Sequence, residues 1–171
     1  AAVSNAEEAK VALTVLERGA AGIMLSTDDP AEIRRVAEVI AGTTVPVPLV
    51  PFEVTRITPV GMGDRVCVDT ANMMVPGEGM LIGSQAKGFF LVHSESEDSP
   101  YVAARPFRVN AGAVHAYIRV GEKTRYLSEL KSGDEVTIVS KDGLSRSAIV
   151  GRAKIEKRPM ILIEAEADGV L

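Results

Sequence analysis

The sequence predicts an α+β protein: a helix–strand–helix segment drawn from a larger α/β unit, then a mostly antiparallel, barrel-like β domain. Three observations carry this. Capped helical periodicity is confined to the start of the chain. A proline-rich passage, Val45-Pro46-Val47-Pro48-Leu49-Val50-Pro51, interrupts any helix or ladder. Beyond it come short apolar runs separated by Gly, Asp, Asn and Ser, the signature of a barrel or sandwich. The expected domains are therefore residues 1–52 and 53–171.

Ser4-Asn5-Ala6-Glu7 reads as a capping box, with Ser4 accepting from the backbone three residues on and Glu7 reaching back. Ala9, Leu13 and Leu16 follow at helical spacing, and Gly19 supplies a stop. Residues 22–26 (GIMLS) form an apolar run without alternation, as expected for a strand covered on both faces. Asp29 then caps a second helix with Pro30 at its first position and Ile33, Val36, Ala37 and Ile40 as its stripe. One flanked strand cannot satisfy its own backbone, so this segment is expected to be the tail of a larger α/β unit. Apolar stripes left uncovered in this way would drive self-association, so a homo-oligomer is among the expected assemblies.

In the second domain the sequence predicts strands at 66–68, 79–82, 89–93, 105–110, 114–118, 135–139, 147–153 and 160–166, with one helical turn at 126–131. The domain also repeats itself. Residues 63–68 (GDRVCV) are answered by 133–138 (GDEVTI), Ile82-Gly83 by Val150-Gly151, and 90–95 (FLVHSE) by 161–166 (ILIEAE). An internal duplication predicts this; reuse of turn dipeptides by β proteins would also give it.

Composition limits the function. With 171 residues, 46% of them hydrophobic, the chain can bury a core. A formal net charge of −4 argues against nucleic acid as a partner. No apolar run approaches the roughly 20 residues that span a bilayer, and no signal peptide is present, so a cytoplasmic protein without a membrane partner is expected. The single cysteine, Cys67, lies in an apolar run without a nearby base and reads as a buried, reduced thiol.

The candidate chemistry gathers between Gly61 and Tyr117. Residues 77–83 (GEGMLIG) imitate a dinucleotide glycine pattern, but strands rather than a helix follow, so the segment reads as a tight loop feeding a hairpin with Glu78 exposed at its tip. Period-2 alternation puts His93 and Glu95 on one side of a strand with Phe89 and Leu91, and Arg108 with Asn110 opposite Phe107 and Val109. Arg108 could hold a carboxylate through two parallel hydrogen bonds. His115 shares a face with Tyr117, Lys87 stands beside Gly88, and Lys157-Arg158 reads as a solvated turn. Two histidines with Asp69, Glu78 and Glu95 lack any metal-ligand spacing, so no metal is expected. The residues alone specify a barrel-containing domain with a polar pocket.

Residues 61–70 (GMGDRVCVDT), 76–84 (PGEGMLIGS) and 88–95 (GFFLVHSE) resemble the central motifs of the type II, archaeal-type 3-dehydroquinate synthases. The likeness continues through 105–112 (RPFRVNAG), 115–117 (HAY), 124–130 (TRYLSEL) and 154–159 (KIEKRP), nearly all of the chain after Gly61. Ala71-Asn72-Met73-Met74 departs from the small polar and cysteine residues of that pattern. The resemblance implies NAD-dependent oxidative deamination of an amino-dideoxy-heptulosonate, a small-molecule substrate, and ring closure to 3-dehydroquinate in the shikimate route to the aromatic amino acids. That chemistry requires a base, a cation for the carboxylate and an acid–base pair. By residue type, His93 or His115 is the base, Arg108 the carboxylate anchor with Arg105, Asn110 and Glu95 beside it, and Glu78 and Lys87 belong to the proton or phosphate inventory. Family members of this kind are longer at the N-terminus, so this stretch alone is expected to be inactive.

Two other classes fit the residues without the resemblance. One is a metal-assisted lyase or cyclase using the histidines and acids without nicotinamide. The other is a non-catalytic binding or oligomerisation module.

Overall fold

The computed structural model describes residues 1–15, 19–42, 46–98, 100 and 103–167. The chain divides into two compact units, residues 1–45 and 46–171. With two helices and a mostly antiparallel sheet, it is α+β.

In the first unit, β1 (Ala2–Val3) pairs in parallel with β2 (Met24–Leu25), flanked by α1 (Ala6–Thr14) and α2 (Pro30–Gly42). The cap of α1 sits one residue later than the sequence suggested. Asn5 is extended and its Oδ1 accepts from Glu8 N at 2.9 Å, while Glu8 rather than Glu7 reaches back to Ser4 N at 2.7 Å. Asn caps as well as Ser, and the later register satisfies the same orphan donors. Leu16, expected in this stripe, lies outside the described residues. Asp29 caps α2 as expected, its Oδ1 accepting from Ala31 N at 2.8 Å. A small core of Val3, Ala9 and Val36 holds the unit, whereas Ile33 and Ile40 stay exposed.

The second unit contains β3 (Glu53–Thr70), β4 (Glu78–Gln85), β5 (Gly88–Glu95), β6 (Arg105–Ala113), β7 (Tyr117–Val120), β8 (Lys123–Tyr126), β9 (Glu135–Ser140) and β10 (Ser145–Glu166). Every pairing is antiparallel, in the order β5-β6-β3-β10-β9-β4-β7-β8. A further pairing of β4 with β5 returns to the start, so six strands form a closed circuit with the β7–β8 hairpin attached to β4. Val66 and Val68 of β3, Val109 of β6, Ile82 of β4, Ile138 of β9 and Val150 of β10 all point to one buried core. Burying each such side chain contributes about 1.5–3 kcal/mol.

Several boundaries differ from expectation. The proline passage belongs with the second unit, because Val47 donates to Gly143 O at 2.8 Å and packs on Leu81 and Val139. β3 begins near residue 53, where exposed Glu, Thr and Arg hide the strand from a pattern search. β10 is one 22-residue strand, not two, so Lys157 and Arg158 lie mid-strand opposite Asp64 and Gly63 rather than in a turn. The strand expected at 114–118 starts only at Tyr117, since Val114 and His115 form a turn. The helical turn expected after Tyr126 is a short 3-10 helix, Leu127–Glu129.

The third segment match does not occupy equivalent places. Phe90–Glu95 lies in β5, between β4 and β6 in the circuit, whereas Ile161–Glu166 pairs only with the exposed start of β3. Shared alternation, not shared position, made the two segments look alike.

Candidate functional site

Side chains alternate across the sheet, so the strands that send Val66, Val68 and Val109 inward turn Arg65, Cys67, Asp69, Arg108 and Asn110 to the opposite face. β10 adds Arg152, Lys154 and Glu156 in register with Asp69, Cys67 and Arg65. The result is a polar face over β6, β3 and β10.

Asp69 lies at its centre, with an arginine directly opposite on each neighbouring strand. Arg108 donates from Nε and Nη2 to its two oxygens at 2.7 and 2.9 Å, and Arg152 donates from Nε and Nη2 to Oδ2 at 2.9 and 2.6 Å. Burial pushes the Asp69 carboxyl upward, but the hydrogen bonds and charges of Arg108 and Arg152 outweigh it and hold the group below the usual carboxylate range. The Arg108 guanidinium is raised in turn, chiefly by its hydrogen bonds to Asp69. The two arginines differ in access: the Arg108 side chain is 11% exposed and that of Arg152 59%.

A second chain of contacts runs beside this one. Arg105 Nη1 donates to Glu95 Oε2 at 3.4 Å, Asn110 Nδ2 donates to Glu95 Oε1, and Cys67 Sγ donates to Asn110 Oδ1 at 3.2 Å. Arg65 then bridges to Glu156 at 3.1 Å, and Glu156 also meets Lys154 at 2.8 Å and Arg158 at 3.2 Å. The hydrogen bond from Lys154 lowers Glu156 against its desolvation, and with the neighbouring charges and Arg65 holds it at about 2. Cys67 is buried, free and reduced as expected, but it faces this polar layer rather than the apolar core. Six cations (Arg65, Arg105, Arg108, Arg152, Lys154, Arg158) stand against three carboxylates, an excess of +3 on a chain whose formal net charge is −4. Such a face concentrates anions.

The four residues expected to bind substrate, Arg105, Arg108, Asn110 and Glu95, are thus brought together. The four expected to be catalytic are not. Glu78 is not exposed at a loop tip: Arg146 Nε and Nη2 grip its oxygens at 2.9 and 2.7 Å, and Val75 N donates to it at 3.0 Å. Burial raises the Glu78 carboxyl, but Arg146 and Val75 together bring it below its ordinary value. His93 is close by, with Nε2 accepting from Gly77 N at 2.6 Å and Nδ1 meeting Ser94 O at 2.6 Å. Those partners fit the tautomer protonated on Nδ1. Among the described residues no hydrogen bond joins His93 to the polar cluster that Glu95 belongs to. Lys87 lies in the exposed β4–β5 turn at the other end of the hairpin, about 20 Å away at ~3.3 Å per residue. His115, in the turn before β7, is exposed and bonds no described residue; the register Gly83↔Tyr117 directs it toward that same end.

The glycines of 77–83 serve close strand approach. A Cβ on Gly79 would lie 2.0 Å from Val92 O and one on Gly83 2.3 Å from Gly88 O, leaving no open cradle. No helix follows them, so this segment does not fit a dinucleotide's phosphates. Among the described residues no three His, Cys, Asp or Glu side chains group to hold a metal ion.

Residues 51–171 match the model of the 3-dehydroquinate synthase II C-terminal domain, and residues 1–40 match that of the N-terminal domain of the same family. The chain belongs to the 3-dehydroquinate synthase II family. Among its relatives, a 3-dehydroquinate synthase of Methanothrix thermoacetophila is 67% identical over 170 residues, covering 98% of this chain and 46% of the relative. That of Methanoculleus marisnigri is 64% identical over 168 residues, 98% of this chain and 51% of the relative. That of Methanococcoides burtonii is 61% identical over 170 residues, 99% of this chain and 45% of the relative. The chain therefore spans about half the length of these curated relatives. No solved structure matches it. Membership agrees with the motifs at 61–70 and 105–112, which the fold places on the polar face. Asp69, Arg152, Lys154 and Glu156 were not singled out for this face from the sequence, although GRAKIEKR carries its alternate polar residues at the strand period.

Proposed function

We propose that this chain forms part of a 3-dehydroquinate synthase that deaminates an amino-dideoxy-heptulosonate oxidatively and closes its ring, and that its polar face holds the substrate carboxylate. The observation that carries the reading is the +3 face centred on Asp69, in a chain of this family. Arg108 acts there through its Asp69 partner. Its Nε–Nη2 edge is occupied, while Nη1 donates to no described residue, and the Arg152 and Lys154 side chains are more exposed. A carboxylate arriving at this face meets charged donors already fixed by Asp69 and Glu156, so little ordering entropy is lost on binding. Glu95 and Asn110 supply acceptor and amide beside them.

NAD, the hydride acceptor in this reading, finds no fitting cradle in the 77–83 segment. The base is one of the two histidines. His93 has its Nε2 lone pair engaged by Gly77, whereas the His115 ring has no described partner and is the better acceptor. The enzyme so described needs no membrane; no described helix is long and apolar enough to cross one.

The same proposal extends to the fold: the closed circuit is a barrel built from two related halves. Two backbone bonds support it. Ala71 N donates to Ile149 O at 2.8 Å and Lys141 N to Gly77 O at 2.7 Å, an exchange in which each partner is replaced by one about 70 residues away. Residues 1–40 would then belong to the family's larger N-terminal domain.

The test is an assay of a complete synthase carrying this chain, with the amino-heptulosonate and NAD, following NADH and ammonia together. Arg152→Met is expected to raise KM for the substrate at least tenfold. Turnover without ammonia release, or a KM indifferent to Arg152, would remove the respective parts of the reading.

A further inference from the structure

The polar face is not uniform along the strand order β5-β6-β3-β10. Its three carboxylates differ in how far they are neutralised. Asp69 accepts four charged hydrogen bonds from Arg108 and Arg152, and Glu156 stands within 2.8–3.2 Å of Arg65, Lys154 and Arg158. Glu95 meets one cation among the described residues, Arg105, and at 3.4 Å this is the longest ion pair of the face. It is also the most open of the three acids: its side chain is 26% exposed, against 19% for Glu156 and 7% for Asp69. Asn110 donates to its Oε1 and Arg105 to its Oε2. An ionised carboxylate offers about four acceptor positions, so about two remain.

The β10 margin is the opposite. Arg152, Lys154 and Arg158 lie on one side of the strand, about half exposed. An arginine carries five N–H donors and a lysine three, more than the carboxylates of Asp69 and Glu156 take up. The face thus has an anion-seeking margin on β10 and an incompletely paired acid on β5. The two ends sense one another across β6. The Arg108 guanidinium is raised chiefly by its hydrogen bonds to Asp69 and in smaller part by the charge of Glu95.

We propose that Glu95 receives the ammonium group of the ligand whose carboxylate lies on Arg152 and Lys154, and so selects an amino-bearing substrate over the same carbon chain without the amine. This rests on the reading of the face as the carboxylate site. Charge selects the place: an excess of +3 repels an ammonium from the rest of the face, and Glu95 is the acid with acceptor positions to spare. Length agrees. β5 and β10 stand three strand spacings apart, at most ~14 Å at ~4.8 Å each. An extended seven-carbon chain covers ~7 Å, at roughly a third of the ~3.5 Å that three backbone bonds span, and a hydrogen bond of ~2.8 Å at each end brings its reach to about 13 Å. An amine that has lost a proton still donates to Glu95, whereas a carbonyl in its place has no donor, so the same contact favours substrate over the deaminated product.

Calorimetric titration of a complete synthase carrying this chain, without NAD so that nothing turns over, tests the assignment. Two ligands are compared, the amino-heptulosonate and its analogue with a hydroxyl in place of the amine. Wild type should bind the amino compound about tenfold tighter or more, the scale of one charged hydrogen bond. Glu95→Gln, equal in size and still able to accept from Asn110, should bring that ratio to within about threefold and bind the hydroxy analogue no more weakly, because a negative charge opposing its carboxylate is gone. A Glu95 that only orients its neighbours would instead weaken both ligands alike on substitution. Equal losses for the two ligands in Glu95→Gln, or a wild-type ratio near one, overturn the proposal. Arg152→Met tests the carboxylate reading separately: it should weaken both ligands and leave their ratio. Affinities indifferent to Arg152 would remove that reading, while the response of the ratio to Glu95→Gln still decides whether the amine is held there.

Discussion

Arg108 donates to both oxygens of Asp69 from a fork that is almost closed to solvent, and the same carboxylate also holds the far more exposed Arg152. One acid thus fixes a buried cation and an accessible one on opposite neighbouring strands.

Asp69→Asn leaves Arg108 buried without its counter-charge, which typically costs about 3–5 kcal/mol. The folded carboxyl is depressed, so its contribution is present above the unfolded value near ~3.9 and is lost as pH falls through the lower, folded value. Urea unfolding at pH 7 should show a lowered midpoint for Asp69→Asn, and the variant's stability should vary less with pH below about 4 than the wild type's. An unchanged midpoint would mean that Asp69 holds nothing.

Arg108→Lys keeps the charge but loses the planar fork. In a complete synthase carrying this chain, kcat/KM should fall on the order of tenfold or more, about 1.4 kcal/mol. Kinetics identical to wild type would take Arg108 out of the site.

Glu78 ties the 73–77 loop to β10: Arg146 grips the carboxylate and also donates to Met73 O at 3.0 Å, and Val75 N donates to Glu78. Glu78→Ala should cost about 1.5–3 kcal/mol, the usual range for hydrogen bonds to charged groups. It should also speed hydrogen exchange at the Val75 amide. Retained protection there would show that the loop stands without Glu78 and would reopen a chemical role for it.

Gly79→Ala would drive a methyl group to 2.0 Å from the backbone oxygen of Val92, a contact that no side-chain rotation relieves. A loss of about 3 kcal/mol or more is expected, read as a drop in Tm. Gly22→Ala, with nothing within 4 Å of its Cβ, is the control and should be near neutral. Equal stability of the two variants would contradict the close β4–β5 approach.

Local chemistry alone determined much of this protein. The presence of both helices, the Asp29 cap of the second, the break near the prolines and the alternation of Arg108 and Asn110 against Val109 all follow from spacings within a dozen residues. The motifs at 61–70, 76–84 and 88–95, continued through 105–112 and beyond, suggest the family. Only tertiary structure decided which polar residues meet. Asp69 joins Arg108 and Arg152 across 39 and 83 residues of chain, and no local spacing encodes a register between strands so far apart. The same distance hid Arg146 from Glu78 and made a structural clamp look like an exposed acid. It also made the 160–166 segment look like another strand of the circuit. Pairing with residues 53–61, a hundred positions earlier, turns it into half of an exposed two-stranded ribbon.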